Sequence, residues 1–109
     1  MEACRIGIVL RAPGVVDVGA PMSQKALCYD MLVDARKVIA RTSDEHFKPG
    51  VTVLTVVMDM TGRVDVSAPL PPRLLAYRML SDARDVIERF NDDAAPASRP
   101  FDRAVMGEG

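Results

Sequence analysis

The sequence predicts an α+β fold: a tandem ββα repeat, ββαββα in element order, forming a four-stranded, mostly antiparallel sheet with two helices packed on one face. Three observations predict it. First, GVVDVGAPMSQKALCYDMLVDARKVIARTSDE (residues 14–45) returns 48 residues later as GRVDVSAPLPPRLLAYRMLSDARDVIERFNDD (residues 62–93), with 17 of the 32 positions identical. Second, within each copy the apolar spacing changes from the alternation of a strand to the wider period of a helix. Third, two copies are fewer than the roughly three a stacked solenoid needs, so the halves are expected to pack on each other.

The elements follow in order. Residues 4–11 (CRIGIVLR) place Ile6, Ile8 and Leu10 on one strand face and Gly7 and Val9 on the other. Ala12-Pro13-Gly14 is a turn signal, after which Val15 to Val18 resume the alternation. Ala20-Pro21 stops this strand, because proline cannot donate to a ladder. A helix is predicted over 23–41, with Leu27, Met31, Leu32, Ala35 and Ile39 on one stripe. Residues 42–50 link the halves, and Pro49-Gly50 leads into a strand over 51–59. Met60-Thr61-Gly62 turns into a fourth strand, Ala68-Pro69 stops it, and a second helix is predicted over 71–90 from Pro71-Pro72. Its stripe repeats the first, with Leu75, Met79, Leu80, Ala83 and Ile87. Residues 1–93 therefore form a single domain of two repeats (4–45 and 52–93), and the Ala- and Pro-rich residues 94–109 are expected to be a flexible C-terminal tail.

Composition excludes several function classes. With 49% hydrophobic and 27% charged residues in 109, the chain can build one core and is not of the disordered type. A net charge of -1 and the lack of a basic stripe interleaved with aromatics argue against nucleic-acid binding. No apolar run approaches the roughly 20 residues of a membrane span. Glu2, Arg5 and Arg11 interrupt any signal-peptide pattern, so a cytoplasmic location with reduced cysteines is expected.

Catalytic vocabulary is sparse. His46 is the sole histidine and falls in the linker. Cys4 and Cys28 lie far apart without metal-ligand spacing, and Cys28 aligns with Ala76, which marks a packing position. The glycines form no phosphate-cradling loop. No metal or other cofactor is expected. Asp17 and Asp65 are the one carboxylate pair to consider for acid–base work, and no nucleophile accompanies them, so a non-enzymatic role is expected.

Polar residues common to both halves are more informative. Tyr29 and Arg36, like Tyr77 and Arg84, are seven apart, on one flank of each helix. Arginine offers a bidentate fork and tyrosine a stacking surface, so these four are candidate ligands for a small anionic, nucleotide-like molecule in symmetric or intersubunit pockets. The competing reading makes them residues at the core boundary. Asp34 with Arg41, and Asp82 with Arg89, repeat the spacing on the opposite flank. On the sheet face away from the helices, Val9, Val53, Thr55 and Val57 lie among Arg5, Asp17, Arg63 and Asp65. That face is too apolar to be freely solvated, so these residues, Asp17 and Asp65 included, are candidates for an interface in a homodimer or higher homo-oligomer. The alternative function is a protein-interaction module, an adaptor or inhibitor of a host protein, acting through this face or the tail.

The pattern GxVxVxAP followed by LxYxMLxDARxVI resembles short uncharacterised proteins encoded by bacteriophages and prophages, each one hairpin plus a helix. The resemblance covers residues 4–41 and 52–89. It implies a small binding protein, one that inhibits a host protein or sequesters a signal molecule, and it supplies no site residues.

Overall fold

The computed structural model describes residues 2–90; the tail expected at 94–109 lies outside the described residues. Strands β1 (Glu2–Ala12) and β2 (Val15–Gly19) precede helix α1 (Lys25–Arg41), and strands β3 (Val53–Asp59) and β4 (Val64–Val66) precede helix α2 (Arg73–Arg89). The fold is α+β, with a four-stranded sheet of order β2-β1-β3-β4 in which every neighbouring pair is antiparallel. Both hairpin turns need a glycine in the left-handed region, Gly14 at φ 76° and Gly62 at φ 87°. The second turn is fixed further by the Asp59 carboxylate, which accepts from the Thr61 amide at 2.9 Å, the Thr61 hydroxyl at 2.6 Å and the Arg63 amide at 3.0 Å.

Several boundaries differ from the sequence expectation: β1 extends past 4–11 at both ends, and the first helix starts at Lys25 rather than 23. The third strand starts at Val53 rather than 51, because the Val51 amide is used in the linker turn, donating to the Lys48 carbonyl. The second helix starts at Arg73 because Pro72 stays extended as its N-cap at ψ 144°.

The two middle strands set the register. In β1–β3, Ile6 faces Val56, Gly7 faces Thr55 and Ile8 faces Leu54, so the pairing is centred on Gly7 and Thr55, the two residues 48 apart. Ile6, Ile8, Leu54 and Val56 are fully buried on the face the helices cover. The helices cross over: α1 contacts β3 and β4, whereas α2 contacts β1 and β2. Each hairpin is thus roofed by the helix of the other half. Met31, Ile39, Met79 and Ile87 are at most 1% exposed in the shared core, and each such side chain contributes on the order of 1.5–3 kcal/mol by leaving water.

The helices run antiparallel, and each end is secured from its neighbour. Neither N-cap makes a side-chain hydrogen bond. Instead, Arg73 in the first turn of α2 donates to the last carbonyls of α1, at 2.8 Å to Ile39 and 2.9 Å to Thr42. Lys25, 48 residues earlier, does the same for α2 through the carbonyls of Glu88 and Phe90. A cation here satisfies orphan carbonyls and opposes the negative end of the helix dipole. The 42–50 linker is held to the second half by the Lys48 amide to Leu70 carbonyl and Leu70 amide to His46 carbonyl bonds, both 2.8 Å.

Candidate functional site

The sequence brings Tyr29, Arg36, Tyr77 and Arg84 together, but in a different pairing from the one their spacing suggests. The Arg36 guanidinium lies 4.3 Å over the ring of Tyr77, and Arg84 lies 4.3 Å over Tyr29. Both contacts cross from one helix to the other. Residues seven apart on one helix are about 10 Å apart along its axis, too far for this stacking, whereas the antiparallel neighbour presents its ring at the right height. Each tyrosine ring carries a guanidinium on one face, so the four residues act as a clamp between helices. The depression beside them, with Leu32, Leu80 and Val33, encloses about 140 Å³. That is smaller than the roughly 300 Å³ at which small-molecule sites begin.

Larger clefts lie at the other flank of α1, along the edge strand β4. One, of about 360 Å³, is formed by Lys37 and Arg41 from α1 and by Arg63 and Asp65 at the start of β4, with Asp34 at its side. A second, of about 320 Å³, adjoins it, sharing Arg41 and Asp65 and continuing past Ser43 and His46 to Val66 and Leu70. Together they make a furrow. Among the described residues, Lys37, Arg41 and Arg63 enter no ion pair. Asp65 uses one carboxylate oxygen to accept from the Val66 amide at 2.8 Å. The carbonyl end of α1, which would repel an anion here, is covered by Arg73.

The positions 48 residues away do not repeat this chemistry. Lys37 corresponds to Asp85, Arg63 to Val15 and Arg41 to Arg89, while Asp34 and Asp65 correspond to Asp82 and Asp17. The three cations along β4 become one beside β2, and the two acids become three. Asp17 is bonded to Arg11, and one carboxylate oxygen of Asp82 is buried without a hydrogen-bond partner among the described residues. Reading the halves for likeness hides these cations; the signal that finds them is a difference in charge at matched positions, Lys37 against Asp85 and Arg63 against Val15.

The remaining candidates have definite places. On the open sheet face Val53 is 46% and Val15 54% exposed, with Val9, Thr55 and Val57 half-buried beside them. Arg63 and Asp65, at the edge strand, both line the furrow. Leu74 points outward at 79% exposure. His46 and Glu45, 3.9 Å apart, are both exposed. Cys28 is fully buried with its thiol directed to the Pro21 carbonyl, and burial pushes its pKa above the ordinary thiol value, with the nearby Cys4 adding to the shift. Among the described residues no group of three or more His, Cys, Asp or Glu is placed to hold a metal ion, and no helix is long and apolar enough to cross a membrane. Comparison of the chain with protein-family models, with curated proteins and with solved structures gave no match.

Proposed function

We propose that this chain is a non-enzymatic binding protein for a small anion of the phosphate class, held in the furrow between α1 and β4. One observation carries the proposal: Lys37, Arg41 and Arg63 line a single cleft of about 360 Å³ without an ionic partner among the described residues. Arginines offer a bidentate fork to phosphate oxygens and lysine a mobile point charge. The anionic ligand expected from the sequence is kept, and its seat moves from the Tyr/Arg clamp to the furrow. Behind this lies a second inference, that the chain is a duplicated ββα unit. The offset of 48 links Lys25 with Arg73 and one Tyr–Arg contact with the other, and on that reading one half has diverged into a binding edge.

The test is calorimetric titration with inorganic phosphate at low salt. Saturable binding weakened at least tenfold by Arg41→Glu, and less than twofold by Arg89→Glu at the matched position, is the expected result. Absence of binding, or equal effects of the two variants, would overturn the assignment.

A second reading is favoured by the exposed valines of the sheet face: a second copy of the chain packs there. Strands about 4.8 Å apart and a β1 face about 20 Å long give a plan area of about 400 Å². That is about half the ~800 Å² each partner contributes to an ordinary interface, the size of a weak association. Of the charges at its margin, Asp17 is paired with Arg11, which lowers the cost of covering it. Native mass spectrometry should show a dimer that Val53→Lys and Val57→Lys dissociate; a monomeric parent chain would exclude it.

A further inference from the structure

We infer that the ligand of the furrow is a phosphorylated polyol, a sugar phosphate or nucleotide, whose hydroxyl groups are read by Asp65. The inference rests on the anion-binding reading above and goes on to the part of the ligand that is not the anion. A furrow serving a bare polyanion would gain from cations alone. This one keeps two carboxylates, Asp34 and Asp65, among its three cations. An ionised carboxylate only accepts hydrogen bonds and repels phosphate, so a ligand that fits this lining must bring O–H or N–H donors beside its anionic group.

Asp65 is placed to receive them. Its Oδ1 is held by the Val66 amide at 2.8 Å, which fixes the side chain and leaves Oδ2 free to accept from a ligand. Asp65 and Arg41 border both clefts, so a molecule seated on them extends from the cationic cleft into the adjoining one. There the lining changes to the Ser43 hydroxyl and the apolar surface of Val66, Ala68 and Leu70, suited to a carbon skeleton bearing hydroxyls. The Thr42 hydroxyl is committed to the Val38 carbonyl at 2.7 Å, which leaves Ser43 as the hydroxyl of this cleft able to turn to a ligand. Arg36 and Arg84 each occupy one face of a tyrosine ring, and neither tyrosine lines the furrow, so recognition there falls to hydroxyls.

The experiment compares inorganic phosphate, ribose 5-phosphate and AMP by calorimetry on the full chain, parent and Asp65→Asn. Asparagine keeps the oxygen that caps Val66 and replaces the free acceptor with a donor, so the turn and fold are retained; a melting curve checks this, and Asp17→Asn at the matched position serves as control. The expected result is at least tenfold tighter binding of ribose 5-phosphate or AMP than of phosphate. Asp65→Asn should cut that preference to within twofold while phosphate binds equally or more tightly, and Asp17→Asn should leave it unchanged. Ribose 5-phosphate at parity with AMP identifies the sugar phosphate as the recognised part, and a preference for AMP identifies the nucleotide. Equal affinities for all three compounds in the parent would overturn the role of Asp65 and leave the anion site standing. If none of the three binds, both fail.

Discussion

Replacing Arg73 by alanine should destabilise the fold by about 2 kcal/mol, more than its surface position suggests. The guanidinium donates to the Ile39 carbonyl at 2.8 Å and the Thr42 carbonyl at 2.9 Å, and it stacks 4.4 Å over the Phe47 ring. Bonds from a charged donor contribute roughly 1.5–3 kcal/mol when sheltered, and an exposed cation–π contact adds about 0.5–1 kcal/mol. Two features lower the sum. Its ion pair with Asp44 at 2.6 Å joins a carboxylate that is 97% exposed, where such pairs are worth little. Water can also replace the donor at the 3.3 Å contact to Ala40. Arg73→Lys keeps one donor and loses the planar fork, so it should cost about half as much. Lys25→Ala removes a cap that, among the described residues, makes no cation–π contact, and should cost about 1 kcal/mol. Urea unfolding followed by circular dichroism measures all three, and for a domain of this size a 2 kcal/mol loss lowers Tm by roughly 8–16 °C. An Arg73→Ala loss below about 0.5 kcal/mol, or a Lys25→Ala loss exceeding it, would refute the capping argument.

Other consequences are checked more briefly. In double-mutant cycles, Arg36→Ala with Tyr77→Leu should show a coupling of about 0.5–1 kcal/mol, and Arg36→Ala with Tyr29→Leu close to none. Cys4, half-buried, should be alkylated in the native protein, whereas fully buried Cys28 should react only on unfolding. Because burial raises the Cys28 pKa in the folded state, its contribution to stability is fully present below the ordinary thiol value of about 8.5 and is lost as pH rises through the higher folded value; Cys28→Ala should flatten that alkaline limb. Asp59 is shifted the other way, first by the Thr61 hydroxyl and then by the Arg63 amide, so its contribution is present above the ordinary carboxylate range and lost as pH falls through the depressed folded value; Asp59→Asn should remove that part of the acid limb of a stability–pH curve.

The secondary structure was legible because each element carries its own local signal. Alternation around Ile6 and Ile8, the Pro-Gly and Thr-Gly turns, and the stripe through Met31 and Ile39 are statements about single segments. The crossing of the helices was not legible. A stripe says that it will be covered, not by which strands, and α1 satisfies Ile39 equally well on either half until the chain path is known. The same gap explains the clamp: Tyr29 and Arg36 share a flank, yet each takes its partner from the antiparallel neighbour. The furrow was hidden for another reason. Residues that recur at the 48-residue offset, such as Tyr77 and Arg84, mark what the fold needs twice, whereas the furrow is lined by residues that differ between the halves, as Lys37 and Arg63 do.

The exchange of helices has a consequence for the halves taken singly. A chain of residues 1–48 would hold β1, β2 and α1, but in the intact protein α2 covers Ile6, Ile8 and Val16, while the α1 stripe with Cys28, Met31, Leu32 and Ile39 lies over β3 and β4. As a monomer keeping these positions, the fragment would expose seven side chains that are each worth about 1.5–3 kcal/mol when buried, a loss of order 10–20 kcal/mol. That equals or exceeds the ~5–15 kcal/mol by which domains are stable. Two fragments can recover it by repeating the intact arrangement: β1 pairs with β1 about Gly7, where Thr55 now stands, and each α1 roofs the partner's hairpin. The fragment should therefore fold only as a dimer, with circular dichroism and sedimentation changing together as concentration rises. A fragment that stays helical and monomeric at micromolar concentration would show that α1 can close on its own hairpin, and the interlocked core would no longer be the reason the two halves are joined.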